Sequence, residues 1–198
     1  MNAPIKPSTL TPQTVEFKLD HQAIHAYEGE TILKAAQRHG VDIPHLCYTE
    51  GMRADGNCRA CVVEIKGERT LAPSCCRTAT AGLEVLVSER AVKSQKMVLE
   101  MLLSDMPDTG YKWTDDGQHG ELSDWAARLN VTVRPELRAL RREQPASDVS
   151  HPAMAVNLDA CIQCNRCVRA CREEQVNDVI GYAHRLSLIH ISEPTRRS

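Results

Sequence analysis

The sequence is poor in aromatic side chains, with one Phe, two Trp and four Tyr among 198 residues. That is little material for a large core, so we expect one or two small domains with linkers. No uncharged apolar run approaches the roughly 20 residues that cross a bilayer, and we expect no membrane span. Lys and Arg number 24 against 26 Asp and Glu, a balance that argues against a nucleic-acid clamp.

The sequence also lacks the short motifs of nucleotide-binding and hydrolytic enzymes. It contains no GxGxxG, P-loop, GxSxG or HExxH, so we expect no catalytic residue and no direct nucleotide site in this chain. Residues 1–13 hold three prolines and no apolar core of a secretory signal, which predicts a flexible leader and a cytoplasmic protein. Cysteine, in contrast, is abundant: nine are more than a reducing compartment normally tolerates without a purpose.

Residues 14–90 are predicted to form a small α+β domain, a twisted sheet crossed by one helix. Apolar alternation predicts the strands, and a run with one apolar face that closes at Gly40 predicts the helix. The predicted order is a hairpin over 14–28, a helix over 32–39, a loop over 42–60, and two β-branched strands, CVVEI and LEVLV.

Residues 91–150 are predicted to be a helical linker. A helix over 89–104 ends before Pro107, and two shorter helices follow, over 121–130 and after Pro135. We interpret the nearby arginines as a solvated helix face, and the Pro, Ser and Asp of 144–152 as a linker. Those arginines are Arg134, Arg138, Arg141 and Arg142.

The second cysteine group, Cys161-x2-Cys164-x2-Cys167-x3-Cys171, has the spacing of bacterial-type ferredoxins. Three thiolates on one tight loop can hold three corners of a 4Fe-4S cube, while Cys171 would serve a second 4Fe-4S cluster. Structural zinc instead uses two separate CxxC or CxxH pairs. Residues 151–185 are therefore predicted to be a partial 4Fe-4S ferredoxin domain.

The residue after the last cysteine supports a partial domain. Arg172 stands where the consensus has proline, as in the first half of a two-cluster ferredoxin, and no second quartet occurs before Ser198. We therefore expect the chain to be truncated within its own metal domain.

The first cysteine group is Cys47-x10-Cys58-x2-Cys61-x13-Cys75. Plant-type ferredoxins share the short pair and the distant fourth ligand, although their first gap is shorter, so a 2Fe-2S cluster is the predicted occupant. Zinc remains an alternative. Adjacent Cys76 is interpreted as a small apolar filler. We also expect backbone N–H groups to approach the sulfide sulfurs of the cluster, from the small loop residues Gly56, Asn57 and Ala60.

Four segments resemble a known family: PHLCY, DGNCRACVVEI, LAPSC and HPAMAVNLDACIQCNRCVRAC. They are similar to the N-terminal region shared by the large iron-sulfur subunit of NADH:quinone oxidoreductase, iron-only hydrogenases and, most of all, the alpha subunit of NAD-dependent molybdenum formate dehydrogenase. The resemblance implies a β-grasp 2Fe-2S domain and a twin-cluster 4Fe-4S domain. It also implies a molybdopterin domain that this chain does not contain, a flavin/NAD-binding partner subunit and a small ferredoxin-type subunit.

Two segments depart from the family. Its His/Cys3 cluster segment reads MPDTGYKWTDDGQH here, with Met106, Gly110, Trp113 and His119 near the ligand positions, so we expect no metal there. Residues 186–198 resemble translated vector sequence, and we exclude them from the fold.

The leading hypothesis is an iron-sulfur electron relay that passes electrons from formate oxidation toward NAD. The same relay in an NADH:quinone oxidoreductase or an iron-only hydrogenase is one alternative. A zinc-held structural or interaction module is an alternative of another class. Without the His/Cys3 ligands, direct transfer between the two cysteine groups requires the fold to bring them close together.

Overall fold

The computed structural model of this protein describes residues 13–108, 120–141, 146–183 and 187–190. Residues 1–12 of the predicted leader (1–13), Arg142 and the end of the chain (191–198) lie outside the described residues, as do Gly110, Trp113 and His119. No helix in the described ranges is long and apolar enough to cross a membrane.

A five-stranded mixed sheet forms the first unit, in the order β2-β1-β5-β3-β4. Strand β1 pairs antiparallel with β2 and parallel with β5, and β3 pairs antiparallel with both β5 and β4. Helix α1 (Ile32–Arg38) crosses the sheet, as the sequence predicted. The strands are β1 (Thr14–Leu19), β2 (Gln22–Tyr27), β3 (Val62–Ile65), β4 (Ala72–Pro73) and β5 (Glu84–Leu86).

The hairpin of β1 and β2 turns on Asp20 and His21, whose φ angles are 47° and 70°. Two consecutive left-handed residues make the tight turn whose twist matches that of the strands, and Asp tolerates this conformation better than most residues. The Asp20 carboxylate also accepts a hydrogen bond from the Val87 N–H at 2.7 Å. The turn therefore fixes the end of β5 as well as the hairpin.

The first core lies between the sheet and α1. Its largest fully buried side chains include Phe17 from β1, Ile32 and Leu33 from α1, and Val85 from β5. Burial of each such side chain contributes about 1.5–3 kcal/mol. The periodicity of the strands and of α1 placed these residues correctly. The two-residue strand β4 was not predicted, because so short a segment has no periodicity of its own.

Helix α2 (Glu89–Asp105) follows the sheet directly and begins at a capped serine. The Ser88 side chain accepts a hydrogen bond from the Ala91 N–H at 3.2 Å. On the buried face, the Gln95 side-chain amide donates to the Val62 carbonyl of β3 at 2.8 Å. A cap at its start and one buried hydrogen bond therefore fix α2 against the sheet.

A second core joins α2 to the cysteine loop and to helix α3 (Glu121–Arg128). It contains Leu99 of α2 and Leu122 of α3, together with Leu46 and Ala60 of the loop. Met106 is also buried in this core at 3% exposure. The predicted linker is therefore a packing partner of the first unit.

The arginines around helix α4 (Pro135–Arg138) differ from the predicted solvated face. Arg134 is exposed but pairs with Glu100 at 2.7 Å. Arg141 pairs with Asp159 at 2.5 Å, and the guanidinium of Arg138 donates to three carbonyls at the end of α2. Only about 30% of these two side chains is exposed, because unpaired carbonyls at a helix end attract cationic donors.

Two hairpins flank a short helix in residues 146–190. This helix, α5, continues into one π-helical turn, and hydrogen bonds from Gln175 and Asn177 close its end. The elements are β6 (Asp148–His151), β7 (Met154–Val156), α5 (Arg166–Arg169), the π-helical turn (Ala170–Glu174), β8 (Ile180–Ala183) and β9 (Ser187–His190).

Two predictions fail in this region. Strand β6 lies within the segment 144–152 that was predicted to be a linker, because the Pro, Ser and Asp of this segment give it the composition of a loop. Strand β9 lies in the tail that was excluded from the fold, and it pairs antiparallel with β8. Strand pairing uses backbone groups, which the unusual side-chain sequence of the tail does not remove.

We predict that Gln95→Ala lowers the free energy of unfolding by about 1–3 kcal/mol, because it leaves the buried Val62 carbonyl without its donor. Urea denaturation at matched metal content measures the loss. Lys93→Ala, at an exposed position of the same helix, is the control and should change stability by less than about 0.5 kcal/mol. Equal stability of the Gln95 variant and the native chain would contradict this role.

Candidate metal centre

The first four predicted ligands converge at one end of the sheet. Cys47 and Cys58 belong to the long loop after α1, Cys61 directly precedes β3, and Cys75 follows β4. Cys47, Cys61 and Cys75 are almost fully buried, at 1%, 1% and 0% exposure. Since β3 and β4 are paired, the short CxxC pair and the distant fourth cysteine are held side by side.

Thiol contacts run from Cys58 to Cys47, then to Cys75 and Cys61. Hydrogen bonds from the Cys58 and Cys75 thiols hold the pKa of Cys47 far below its usual value. The contact with Cys47 raises the pKa of Cys58 and of Cys75, because each holds its proton as donor. The environment therefore favours a thiolate within a buried group of four sulfurs.

Backbone N–H groups also point at these sulfurs. The Cys58 N–H donates to the Cys47 sulfur at 3.4 Å, and the Ala60 N–H donates to the Cys58 sulfur at 3.5 Å. A backbone hydrogen bond at Asn57 further lowers the pKa of Cys47. The N–H groups of Asn57 and Ala60 thus reach cysteine sulfurs, and the predicted approach to the sulfides of a cluster stays a prediction. Arg59, with a φ of 61°, turns the chain between the two cysteines of the CxxC pair.

Helix α1 fixes the loop that carries Cys75. The N–H groups of Ile32 and Leu33, at the start of the helix, donate to the carbonyls of Arg77 and Ser74 at 2.9 and 3.0 Å. The buried Ser74 hydroxyl donates to the Cys61 carbonyl at 2.7 Å. Sequence analysis missed Ser74, since a single serine beside a cysteine carries no recognisable signal.

Cys76 differs from its neighbour in being exposed. Its sulfur lies 3.6 Å from the Cys75 sulfur. The Cys76 sulfur also lies close to Gly56, where a Cβ atom would be only 3.0 Å from that sulfur. The prediction of Cys76 as an apolar filler is therefore wrong. Gly56 is required for close approach, and also for its φ of 63°.

The donor set fits a 2Fe-2S cluster. All nine cysteines are free thiols, and four of them meet at this site with backbone donors on two of the sulfurs. Four thiolates, two at each iron, are what such a cluster requires. Within the described residues, no three or more His, Cys, Asp or Glu side chains converge on a single ion position. The ligand assignment of each cysteine stays a prediction.

The second cysteine group lies on the loop that leads into α5. Cys161, Cys164 and Cys167 are close enough to affect one another electrostatically, and burial raises the pKa of Cys161 and of Cys167. Two residues between them, Gln163 and Asn165, have left-handed φ angles of 55° and 65°. These angles curl the loop so tightly that its three thiols stay near one another.

Two further residues belong to the surroundings of the second group. Cys171 is buried in the π-helical turn, one turn beyond Cys167. Tyr182 of β8 lies near the first three cysteines; burial, followed by their charges, raises its pKa to about 12. The three thiols lie near one another, and a 4Fe-4S cluster on this loop stays a prediction.

The structure brings the two cysteine groups into contact. The side-chain amide of Asn57 donates to the Gln163 carbonyl at 3.0 Å, and that of Asn165 to the Asp55 carboxylate at 3.5 Å. Ile162 packs into the second core beside Cys58. Spacing within each motif contains no information about this contact, because the two loops are more than 100 residues apart.

Comparisons with known proteins agree with this geometry. Residues 12–90 match the family model described as the 2Fe-2S iron-sulfur cluster binding domain. The crystal structure of an NAD+-reducing NiFe-hydrogenase in the H2-reduced state has a TM-score of 0.72 and 29% sequence identity; the match covers 90% of this chain and 75% of that one.

Two relatives resemble the chain over most of its length. An NADH-quinone oxidoreductase subunit of Rhizobium meliloti is 32% identical over 161 residues, which are 80% of this chain and 19% of that protein. The HndD subunit of the NADP-reducing hydrogenase of Solidesulfovibrio fructosivorans is 33% identical over 177 residues, 84% of this chain and 29% of that protein. The chain thus spans less than a third of the length of these relatives.

These findings confirm the predicted 2Fe-2S ferredoxin-like fold of the first unit and its iron-sulfur character, and the relatives named here do not specify formate dehydrogenase. Residues 12–90 match the 2Fe-2S iron-sulfur cluster binding domain, and the chain is related to subunits of NADH-quinone oxidoreductase and of the NADP- and NAD-reducing hydrogenases.

Proposed function

We propose that this chain is an electron-relay segment of a larger oxidoreductase. Cys47, Cys58, Cys61 and Cys75 would hold a 2Fe-2S cluster, and the second group would hold a 4Fe-4S cluster. Each cluster would supply a one-electron carrier, with no proton chemistry required of the protein. The observation that supports the relay is the direct contact between the two ligand loops.

One of the hydrogen bonds between the two loops lies directly beside a predicted ligand of each set. Asn57 is covalently next to Cys58, and its side-chain amide donates to the carbonyl of Gln163. That carbonyl belongs to the peptide bond with Cys164. One route from Cys58 to Cys164 therefore runs through Asn57, one hydrogen bond of 3.0 Å and one peptide group. This contact supports transfer between the two sites without ligands in the segment 106–119.

The second core keeps the junction dry on one side. Leu46 and Ala60 are fully buried beside the predicted ligands, and Ile162 packs onto the same cluster. Exclusion of water lowers the local dielectric constant, so nearby charges and N–H groups act more strongly on the site. A polar cavity of about 180 Å³, lined by Asp55, Asn57, Gln163, Asn165 and Tyr182, lies on the other side.

The finer proposal concerns the parent enzyme. The sequence of residues 55–85 favours the alpha subunit of an NAD-dependent formate dehydrogenase. In such an enzyme a separate domain would bind molybdopterin. A flavin/NAD-binding subunit and a small ferredoxin-type subunit would be the partners. The relatives named above favour the NADH-quinone oxidoreductase or hydrogenase type. Purification of the native assembly through a tag on this chain, followed by assays with formate, hydrogen and NADH, distinguishes them.

We predict that anaerobically purified, dithionite-reduced protein shows the electron paramagnetic resonance signal of a 2Fe-2S cluster. Metal analysis should give at least about two irons per chain and negligible zinc, because the four thiols and their N–H donors fit two irons. About one zinc per chain, no iron and no signal would overturn the relay and favour a structural module instead.

We predict that Cys75→Ser removes or strongly alters the 2Fe-2S signal, because Cys75 is fully buried and contacts both Cys47 and Cys61. Cys76→Ser is the matched control: its exposed thiol should be dispensable, and the signal should persist. Visible absorption and iron content measure both variants. Loss of the signal in Cys76→Ser and its persistence in Cys75→Ser would instead assign the fourth ligand to Cys76.

We predict that the two sites interact magnetically when both are reduced. The 2Fe-2S signal of the native chain should be broadened or split, and Cys164→Ser should sharpen it without reducing its intensity, because the first site keeps all its thiols. Cys76→Ser should leave the broadening unchanged. An identical line shape in the native chain and the Cys164 variant, with four-iron loading verified in the native chain, would contradict transfer at this junction.

A further inference from the structure

Arg169 is the most deeply buried arginine of the described residues. It ends helix α5, in the second unit, and its side chain is only 3% exposed. Its guanidinium nevertheless points into the first unit, 122 residues earlier in the sequence. Arginine is almost never fully buried unless it is paired, so its partners show what the burial accomplishes.

The partners of Arg169 are the backbone of the first cysteine loop. One terminal nitrogen donates to the Cys47 carbonyl at 3.4 Å, and the other donates to the Arg53 carbonyl. The loop between them, 47–53, contains no regular secondary structure. The planar guanidinium group hydrogen-bonds to both ends of this loop and therefore fixes the backbone from which the Cys47 thiol projects.

The charges around Arg169 leave it incompletely neutralised. Asp55 and Glu173 lie 4.0 and 3.9 Å away, and both carboxylates are more exposed than the guanidinium, at 26% and 27%. Glu173 also pairs with Arg53 at 2.9 Å. The Nε of Arg169 is buried without a hydrogen-bond partner. Because solvent screens buried charges less than exposed ones, the positive charge of Arg169 dominates at the loop.

A second arginine of the same helix, Arg166, lies near both cysteine groups. Burial lowers its pKa, but the hydrogen bond and charge of Glu121, with smaller contributions from the charges of Cys164 and Cys47, raise the pKa above its usual value. Glu121 neutralises Arg166 in an ion pair of 2.6 Å. Arg169, with its longer and weaker ion pairs, is therefore the stronger source of positive potential at Cys47.

We propose that Arg169 is a positioning residue of the 2Fe-2S site, supplied by the second unit: it fixes the Cys47–Arg53 loop, and its charge raises the reduction potential of the first cluster. The inference rests on the proposed function. A positive charge stabilises the electron that the site accepts, and net charge and burial are the main determinants of cluster potential. The second unit is then part of the first site as well as an electron carrier.

The test is a redox titration of the 2Fe-2S signal in the full chain. Arg169→Gln should shift the midpoint potential to a more negative value and speed the loss of iron to a chelator. Arg169→Lys keeps the charge but cannot donate to both carbonyls in the same geometry. Its midpoint potential should therefore stay close to that of the native chain, while it should lose iron faster than the native chain. Arg172→Gln is the control, because this exposed arginine of the same turn pairs only with Asp178 on the surface, at 2.8 Å.

The Asp55→Asn variant tests the same inference if Arg169→Gln fails to fold. Removal of this carboxylate, 4.0 Å from Arg169, should shift the potential to a more positive value while the arginine stays in place. An unchanged potential in Asp55→Asn, together with an unchanged potential in Arg169→Gln where that variant loads its cluster, would overturn the inference. A native chain without any 2Fe-2S signal would instead overturn the proposed function, so the two failures are distinguishable.

Discussion

The arrangement of this molecule depends on how the loop between α1 and β3 is held, because the loop has no strand ladder of its own yet carries three of the four predicted ligands of the first site. Two cores hold it from opposite sides. Ile43 and Tyr48 pack into the core of the sheet, whereas Leu46 and Ala60 pack against α2 and α3. A loop anchored in two cores keeps its thiols in place without regular hydrogen bonding, at the cost of depending on both.

The local pattern of apolar residues was sufficient to predict the elements in which such residues recur at regular intervals. The β1–β2 hairpin, α1 and α2 follow from alternation, a 3.6-residue period and capping residues such as Ser88, and cysteine spacing alone indicated iron over zinc. The failures have a different origin. Strand β6 has only one apolar residue, Val149, β4 is two residues long, and β9 lies in the tail that was excluded from the predicted fold. In each case the backbone forms the pairing, and no side-chain pattern reports it.

The arginines illustrate why composition could not locate the charged groups that surround the predicted ligands. Arg138 and Arg169 have the same sequence character, a cation on a short helix, and would both be assigned to a solvated face. In the structure, Arg138 covers the carbonyl end of α2, 32 to 35 residues away, and Arg169 covers the backbone at Cys47, 122 residues away. Both satisfy orphan carbonyls of distant segments, and such carbonyls are identifiable only after the chain has folded.

A family boundary at residue 90 is therefore not a physical boundary of the first site. All four predicted ligands lie within residues 12–90, but the polar and charged groups around them come from elsewhere: Gln163 contacts the residue before Cys58, and Arg169 contacts the carbonyl of Cys47. Since charge and hydrogen bonding around the sulfurs set a cluster's potential, residues 12–90 alone would present the same thiols in a different electrostatic environment. The proposed electron route through Asn57 and the proposed tuning by Arg169 therefore lie at the same interface between the two cysteine loops.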